Sequence, residues 1–332
     1  MSARRSLSEA ATGSFALAGQ VVPPGRRARV EIPVAPLYNQ SMVALVGVVV
    51  NGARPGPCLW VCGAIHGDEL VGIAIIRELL QSIDPAGLAG TLLAFPAVNV
   101  FGVLQQSRYL PDRRDLNRCF PGSSKGSLAA RLARTFMKEI VGRCTHGIDL
   151  HTAATDRDNL PQIRANLEHR ETLRLARAFG APILIHANER DGSLRQAATQ
   201  RGMPTLLYEA GQPLRHDAVA VRTGVTGVRR VMAALGMESS GASEARRPLE
   251  SRETSWVRAP RSGYLILETD LGRRVGKGDL LGILHERLHE DFFKETHVEV
   301  RAVMAGVVIG LTRNPLVSVG DAIVHLAVVS RG

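Results

Sequence analysis

Two apolar runs in this chain each end on a short polar cluster, and the clusters lie far apart in sequence. Cys58-Leu59-Trp60-Val61-Cys62-Gly63-Ala64 runs into Ile65-His66-Gly67-Asp68-Glu69, and Gly147-Ile148-Asp149-Leu150 runs into His151-Thr152. Continuous apolar runs of this length predict strands buried on both faces. Such strands need cover on each side, so an α/β layered fold follows. The polar clusters then fall at the carboxyl ends of strands, where open α/β sheets bind their ligands.

His66, Glu69 and His151 together offer two imidazole nitrogens and one carboxylate, a set suited to a divalent metal. Three protein ligands leave a fourth position open for water, as catalytic rather than structural zinc sites do. The expectation is one Zn²⁺ per chain and a hydrolase that uses metal-activated water. Glu69 follows His66 by three residues at a strand-to-helix junction, which places it in the first turn of a helix over 68–82.

The remaining pattern alternates strands with helices as far as residue 237. Strands are expected at 28–34, 41–50, 91–98, 183–186 and 205–208. Helices are expected at 127–141, capped by Ser127, and at 173–179, 194–201 and 217–235. Residues 1–27 read as a flexible segment, 28–237 as the catalytic domain and 238–255 as a linker without periodicity. Residues 256–332 read as all-β and contain an internal repeat. Arg258-Ala259-Pro260-Arg261-Ser262-Gly263-Tyr264-Leu265 recurs 43 residues later as Arg301-Ala302-Val303-Met304-Ala305-Gly306-Val307-Val308. Val275-Gly276-Lys277-Gly278-Asp279-Leu280-Leu281 recurs 42 residues later as Val317-Ser318-Val319-Gly320-Asp321-Ala322-Ile323. Two matching halves predict a two-fold β-sandwich.

Composition narrows the partners. The 332 residues are 45% hydrophobic with a mean hydropathy of +0.02, enough for a substantial core. No apolar run approaches the roughly 20 residues that span a bilayer, and the N-terminus lacks a signal-peptide core. No membrane association and a cytoplasmic location are expected. The net charge of +10 suits nucleic acid, an anionic surface or an acidic small substrate. With aromatics at 4% and no aromatic–basic interleaving, nucleic acid is set aside. Cys58, Cys62, Cys119 and Cys144 form no secreted-type framework and read as reduced thiols. Cys58 and Cys62 share one face of a strand, as small buried hydrophobes.

Two further segments carry chemistry. Glu209 ends the apolar run Leu206-Leu207-Tyr208 and precedes Ala210-Gly211. A buried carboxylate without a partner is costly, so Glu209 should face a polar site, either as the general base beside metal-bound water or, read on its own, equally as a helix-capping acid. The loop from Arg108 to Gly122 gathers Arg108, Arg113, Arg114 and Arg118 between prolines and glycine. Guanidinium groups grip carboxylates in bidentate fashion, and Asn117 adds oriented donors, although the loop taken alone reads first as a solvated charged loop balanced by Asp112 and Asp115.

His66-x-x-Glu69, Asp149-Leu150-His151, Asp115-Leu116-Asn117-Arg118 and Glu209-x-Gly211 resemble the succinylglutamate desuccinylase/aspartoacylase family, a branch of the zinc carboxypeptidase superfamily. The resemblance covers about residues 20–332. It implies a carboxypeptidase-like mixed sheet flanked by helices, with a C-terminal all-β domain. It implies Zn²⁺ on His66, Glu69 and His151, Glu209 as base and acid, and Arg108 at the oxyanion. Asn117 and Arg118 would hold a substrate carboxylate, Arg164 and Arg195 would be further substrate contacts, and Asp149 would bond a ligand histidine.

The C-terminal part also resembles a lipoyl/biotinyl barrel-sandwich. Lys294, between the two halves, lacks the Met-Lys-Met setting of a carrier lysine, so a lid, dimerisation or gating element is expected instead.

The resulting reading is a zinc-dependent amidohydrolase, a deacylase, acting on a small acylated substrate that carries a carboxylate. A metallocarboxypeptidase or isopeptidase trimming glutamyl residues from a peptide or protein tail is the competing enzyme reading. A catalytically inactive binding or scaffold protein is the non-enzyme one. Whether the chain forms a homo-oligomer, and which acyl group and amine it takes, stay open.

Overall fold

The computed structural model describes residues 13–36, 40–239, 247–285 and 297–329. A hairpin of β1 (Phe15–Leu17) and β2 (Gln20–Val22) precedes β3 (Arg26–Pro36), β4 (Met42–Asn51) and β5 (Arg54–Gly63). Then come α1 (Val71–Ser82), β6 (Ala89–Phe95), α2 (Val100–Gln105), α3 (Leu128–Glu139), β7 (His146–His151) and β8 (Arg157–Ala165). The first region closes with α4 (Arg170–Phe179), β9 (Ile183–His186), α5 (Leu194–Thr199), β10 (Thr205–Gly211) and α6 (Ala218–Ala234).

At its centre β10, β7, β5 and β6 run parallel, while β4 and β3 add antiparallel strands beyond β6. A mixed sheet with helices on both faces results, as expected. Alternation along β5 shows why both faces need cover. Leu59 and Val61 pack with α1, α4 and α6, whereas Cys58, Trp60 and Cys62 pack with α3, α5 and the N-terminal hairpin. Full burial of side chains such as Leu59 stabilises the fold by roughly 1.5–3 kcal/mol each. Ser127 caps α3 as its sequence predicts, its Oγ accepting from the Ala130 N–H at 3.3 Å.

Several elements differ from the sequence reading, α2 (Val100–Gln105) among them. Part of the segment expected to fray forms the β1–β2 hairpin, because Leu17 and Val22 are buried against the second core. Within the expected linker, Leu249–Ser251 forms β11 and pairs with β9; residues 240–246 lie outside the described residues. Strand β8 is absent from the sequence reading because its run is polar and holds Pro161, which argues against a sheet interior. The structure accommodates that proline where the register breaks. One flank of β8 pairs with the C-terminal strand Gly306–Thr312 up to Asn159 and with β9 only from Gln162, so Pro161 falls between partners.

The C-terminal region comprises β12 (Thr254–Arg258), β13 (Gly263–Leu267), β14 (Arg274–Val275), β15 (Leu280–His285), β16 (His297–Arg301), β17 (Gly306–Thr312), β18 (Leu316–Val317) and β19 (Ala322–Ala327). The repeat is visible in the pairing. β16, β15, β13 and β18 form one sheet; their counterparts β12, β19, β17 and β14 join the other. Leu265, Leu284, Val308 and Leu326 share the core between them. The second of these sheets is continuous with the first region through β17 and β8, with Gly310 opposite Asn159. The segment holding Lys294 lies outside the described residues.

Candidate active site

Adjacent parallel strands β5, β7 and β10 bring their carboxyl ends to one place. Gly63 of β5 lies opposite Leu150 of β7, and His151 of β7 lies opposite Glu209 of β10. Beyond Gly63, Ala64 adopts φ 47°. That left-handed backbone is uncommon outside glycine and marks a local strain of the kind found at functional sites. Gly67 lets the turn pack down on α2: a Cβ there would sit 1.9 Å from the Gly102 carbonyl carbon.

Glu69 stands in this turn, its N–H donating to the His66 carbonyl at 3.1 Å, and α1 begins only at Val71. This corrects its expected place in the first helical turn. The Glu69 carboxylate is held by His66 Nδ1 at 2.6 Å, His151 Nδ1 at 2.7 Å and the Thr152 N–H at 3.2 Å. Those contacts keep the residue over the strand ends, so the helix starts after it.

His66, Glu69 and His151 are buried, and their candidate ligand atoms lie within 4.8 Å of one another. Each imidazole turns Nδ1 towards Glu69 and Nε2 towards an aspartate. His66 Nε2 is 3.1 Å from Asp115 Oδ1, and His151 Nε2 is 2.9 Å from Asp149 Oδ2. The second pair is close but poorly aligned for a hydrogen bond. Carboxylates behind the imidazoles orient metal-binding histidines in this way.

The electrostatics follow from this packing. Burial alone would raise the Glu69 pKa, but His66 and His151 outweigh it and hold the carboxyl well below the usual range. Burial likewise opposes ionisation of Asp115, which is held low by His66 and then Arg108. Burial would lower His151, yet Asp149 and Glu69 raise it. The cluster is thus a hydrogen-bonded set of two imidazoles and their carboxylates whose atoms could hold a divalent cation.

Arg108 reaches this cluster, with Nη1 3.3 Å from Glu69 Oε1 and Nη2 3.0 Å from Asp115 Oδ2. Asp115 also accepts from the Asn117 N–H at 2.9 Å, tying the arginine-rich loop to His66. Asn117 Oδ1 accepts from the Leu194 N–H at 2.9 Å, and Arg118 Nη1 donates to the Asn117 carbonyl at 2.6 Å. Glu209 Oε2 accepts from Asn159 Nδ2 at 2.8 Å and lies 3.3 Å from Arg164 Nε. Arg195 is buried, and its two terminal nitrogens donate to the Ala187 and Asn188 carbonyls at 2.9 and 2.8 Å. Its guanidinium therefore fastens the loop before α5.

His66, Glu69, His151, Glu209, Arg108, Asn117, Arg118, Arg164 and Arg195 line one cavity of about 370 Å³, while Asp149 lies behind His151, outside the lining. Sequence reasoning missed Asp115 as the partner of His66, Asn159 as the partner of Glu209, and a wall made of Arg157, Thr254, Trp256 and His325. Asp115 lay inside a segment already singled out. Nothing local marked the wall, whose strands are far apart in sequence.

Residues 55–235 match the profile of the succinylglutamate desuccinylase/aspartoacylase catalytic domain. The chain belongs to the succinylglutamate desuccinylase/aspartoacylase family. One relative in this family is the N-alpha-acetyl-L-2,4-diaminobutyric acid deacetylase of Halomonas elongata, 25% identical over 309 residues that cover 90% of each chain. Among solved structures, the succinylglutamate desuccinylase/aspartoacylase from Rhodobacter sphaeroides superposes with a TM-score of 0.79 at 26% identity, covering 92% of this chain and 96% of that one. The product-bound ectoine utilization protein EutE from Ruegeria pomeroyi gives a TM-score of 0.81 at 25% identity, covering 92% and 97%. With 90–92% of this chain covered, these similarities extend beyond residues 55–235 into the C-terminal region. No helix among the described residues is long and apolar enough to cross a membrane.

Proposed function

We propose that this chain is a zinc-dependent deacylase that hydrolyses an N-acyl amide of a small carboxylate-bearing substrate. The observation that carries this reading is Glu209 directly across from His151, beside the buried His66–Glu69–His151 cluster in an arginine-lined cavity. Two imidazole nitrogens facing one carboxylate, each backed by an aspartate, suit Zn²⁺. Zinc held by His66, Glu69 and His151 would supply Lewis-acid polarisation and make water acidic enough to attack at neutral pH.

The protein's own groups then account for the rest. Glu209 takes a proton from the attacking water as its oxygen bonds to the amide carbon, then passes that proton to the departing nitrogen as the C–N bond breaks. Arg108 donates to the carbonyl oxygen as negative charge develops there. Asn117 and Arg118 bind the substrate carboxylate, the task for which a guanidinium beside an amide is suited. Arg164 sets the position of Glu209 and faces the same substrate, while Arg195 shapes the cavity through its loop. Residues 28–237 supply the hydrolytic machinery. Residues 256–332, a barrel-sandwich of the lipoyl/biotinyl kind, supply one wall of the cavity.

The test is turnover of zinc-loaded protein on N-acetyl and N-succinyl amino acids beside short Glu-terminated peptides. Release of free amino acid from the acylated compounds supports the deacylase. Cleavage of the peptides alone would replace it with a carboxypeptidase, and turnover of neither would favour a binding protein.

A further inference from the structure

The catalytic sheet carries a pair of thiols at the end opposite the cavity. All four cysteines are free. Two of them face oxygen: Cys62 Sγ lies 3.4 Å from Asp149 Oδ1, and Cys119 Sγ lies 3.3 Å from the Asp115 carbonyl. Cys58 and Cys144 instead face each other, with their sulfurs 3.2 Å apart. Cys58 is thus more than a small buried hydrophobe, and its partner comes 86 positions later in the chain.

The backbone fixes this meeting. Cys58 lies in β5, and Cys144 shortly precedes β7, the parallel neighbour whose His146 stands opposite Leu59. Thr145, next to Cys144, is tied to Cys58 in three ways. Its N–H and hydroxyl donate to the Cys58 carbonyl at 2.8 and 2.9 Å, and its Oγ1 accepts from the Cys58 N–H at 3.2 Å. Neighbouring strands lie about 4.8 Å apart, within the roughly 4.4–6.8 Å that a disulfide spans between Cα atoms. From 3.2 Å the sulfurs need close by only about 1.2 Å to reach the roughly 2.05 Å of an S–S bond. Cys58 is buried in the second core, whereas Cys144 is partly exposed and follows exposed Gly142 and Arg143. An oxidant therefore meets Cys144 first.

We propose that Cys58 and Cys144 are a thiol–disulfide modification site, oxidised reversibly by exchange with a low-molecular-weight disulfide into a staple between the feet of β5 and β7. The Cys144 thiolate attacks one sulfur of the small disulfide, which leaves a mixed disulfide on Cys144 and one small thiolate in solution. The Cys58 thiolate then attacks Cys144 Sγ, forms the protein S–S bond and expels the second small thiolate. The protons lost by the two protein thiols end on the two small thiols, so one disulfide is reduced for each one made. Excess small thiol runs the exchange backwards. Burial, and then the Cys58 thiol, push the Cys144 thiol well above its ordinary value, so thiolate is scarce at neutral pH and exchange quickens as pH rises.

The bond closes the chain over residues 58–144, the stretch that holds His66, Glu69, Arg108, Asn117 and Arg118. A cross-link of this span restricts the unfolded chain and so favours the folded one. It sits at the amino ends of β5 and β7, while His66 follows the carboxyl end of β5 and His151 closes β7. The run of strand from Cys58 to Gly63 puts roughly 16 Å between the staple and the cavity. The staple therefore hardens the fold without touching the reacting groups, whatever reaction the cavity performs.

The test incubates the full chain with reduced or oxidised glutathione at about pH 8, where thiolate is more plentiful. Free thiols are then blocked with N-ethylmaleimide in denaturant and counted by intact mass. Reduced protein should take up four maleimides, one for each cysteine. Oxidised protein should take up two, carry no attached glutathione and run as a single chain on non-reducing electrophoresis. Its thermal midpoint should rise by about 5 °C or more, and dithiothreitol should restore both readouts. Cys144→Ser and Cys58→Ala should each lose the rise, and Cys119→Ser should keep it. Cys144 is the less buried of the pair, so Cys144→Ser decides the matter even where Cys58→Ala fails to fold. Four maleimides after oxidation, a rise that survives Cys144→Ser, a bond that joins two chains, or a Cys58–Cys144 bond with no rise would each overturn the staple.

Discussion

Glu209 lies directly across from His151 on neighbouring parallel strands, which sets a carboxylate beside the buried His66–Glu69–His151 cluster through backbone register alone. Asn159 holds its Oε2 at 2.8 Å from β8, on the other side. Arg164 Nε lies 3.3 Å from the same oxygen, so the group is held in place from β8.

If Glu209 moves the proton, Glu209→Ala should keep stoichiometric zinc by elemental analysis while kcat falls by roughly 10²–10⁴-fold. Wild-type turnover at full metal occupancy would remove Glu209 from the reaction.

His66→Ala and His151→Ala should lose zinc outright. Asp115→Asn and Asp149→Asn should retain it with about 10–100-fold weaker affinity, since each aspartate stands behind one imidazole. Competition with a chelating dye measures the order, and equal affinity in all four variants would contradict the ligand assignment.

Gly67→Ala should destabilise the fold by about 2 kcal/mol or more. The added methyl meets the backbone of Gly102, not a flexible side chain, so α2 or the His66 turn must shift. Chemical denaturation reads the loss, and zinc affinity should fall with it because the same turn carries His66 and Glu69.

Stability should decline as pH falls below 6.5, in part through His325. Its pKa is near 3 in the fold against an ordinary 6.5, so between those values the unfolded chain binds a proton that the folded one does not. The contribution is fully present above pH 6.5 and amounts to about 2 kcal/mol between pH 7 and 5. His325→Gln should flatten that part of the stability profile, measured by denaturant titration at the two pH values. An unchanged slope would show that His325 is protonated in the fold.

Much of the site was legible because its chemistry sits at the ends of apolar runs. The pattern around Cys58–Gly63 and Gly147–Leu150 marks buried strands, and the polar residue that ends such a strand must face a site or solvent. The repeat was equally readable, since its two halves keep their spacing through four strands each. Strand β8 was not, because a polar run with a proline carries no strand signal until a register break gives Pro161 its place. The start of α1 was misplaced by three residues, because periodicity sees the helix but not the carboxylate contacts that delay it.

By itself, the sequence determined which residues could serve as ligands, base and anion clamp, and that a layered α/β region precedes a repeated β region. These are properties of residue type and local spacing. Only the tertiary structure decided which aspartate stands behind which histidine, that Arg195 fastens a loop, and that Arg157, Trp256 and His325 close the cavity. The contacts of His66 with Asp115, Trp256 with His325 and Arg157 with Trp256 join residues 49, 69 and 99 positions apart, in pairings that depend on strand order and register. Local sequence carries no term for them, because their energies exist only once the sheet has formed.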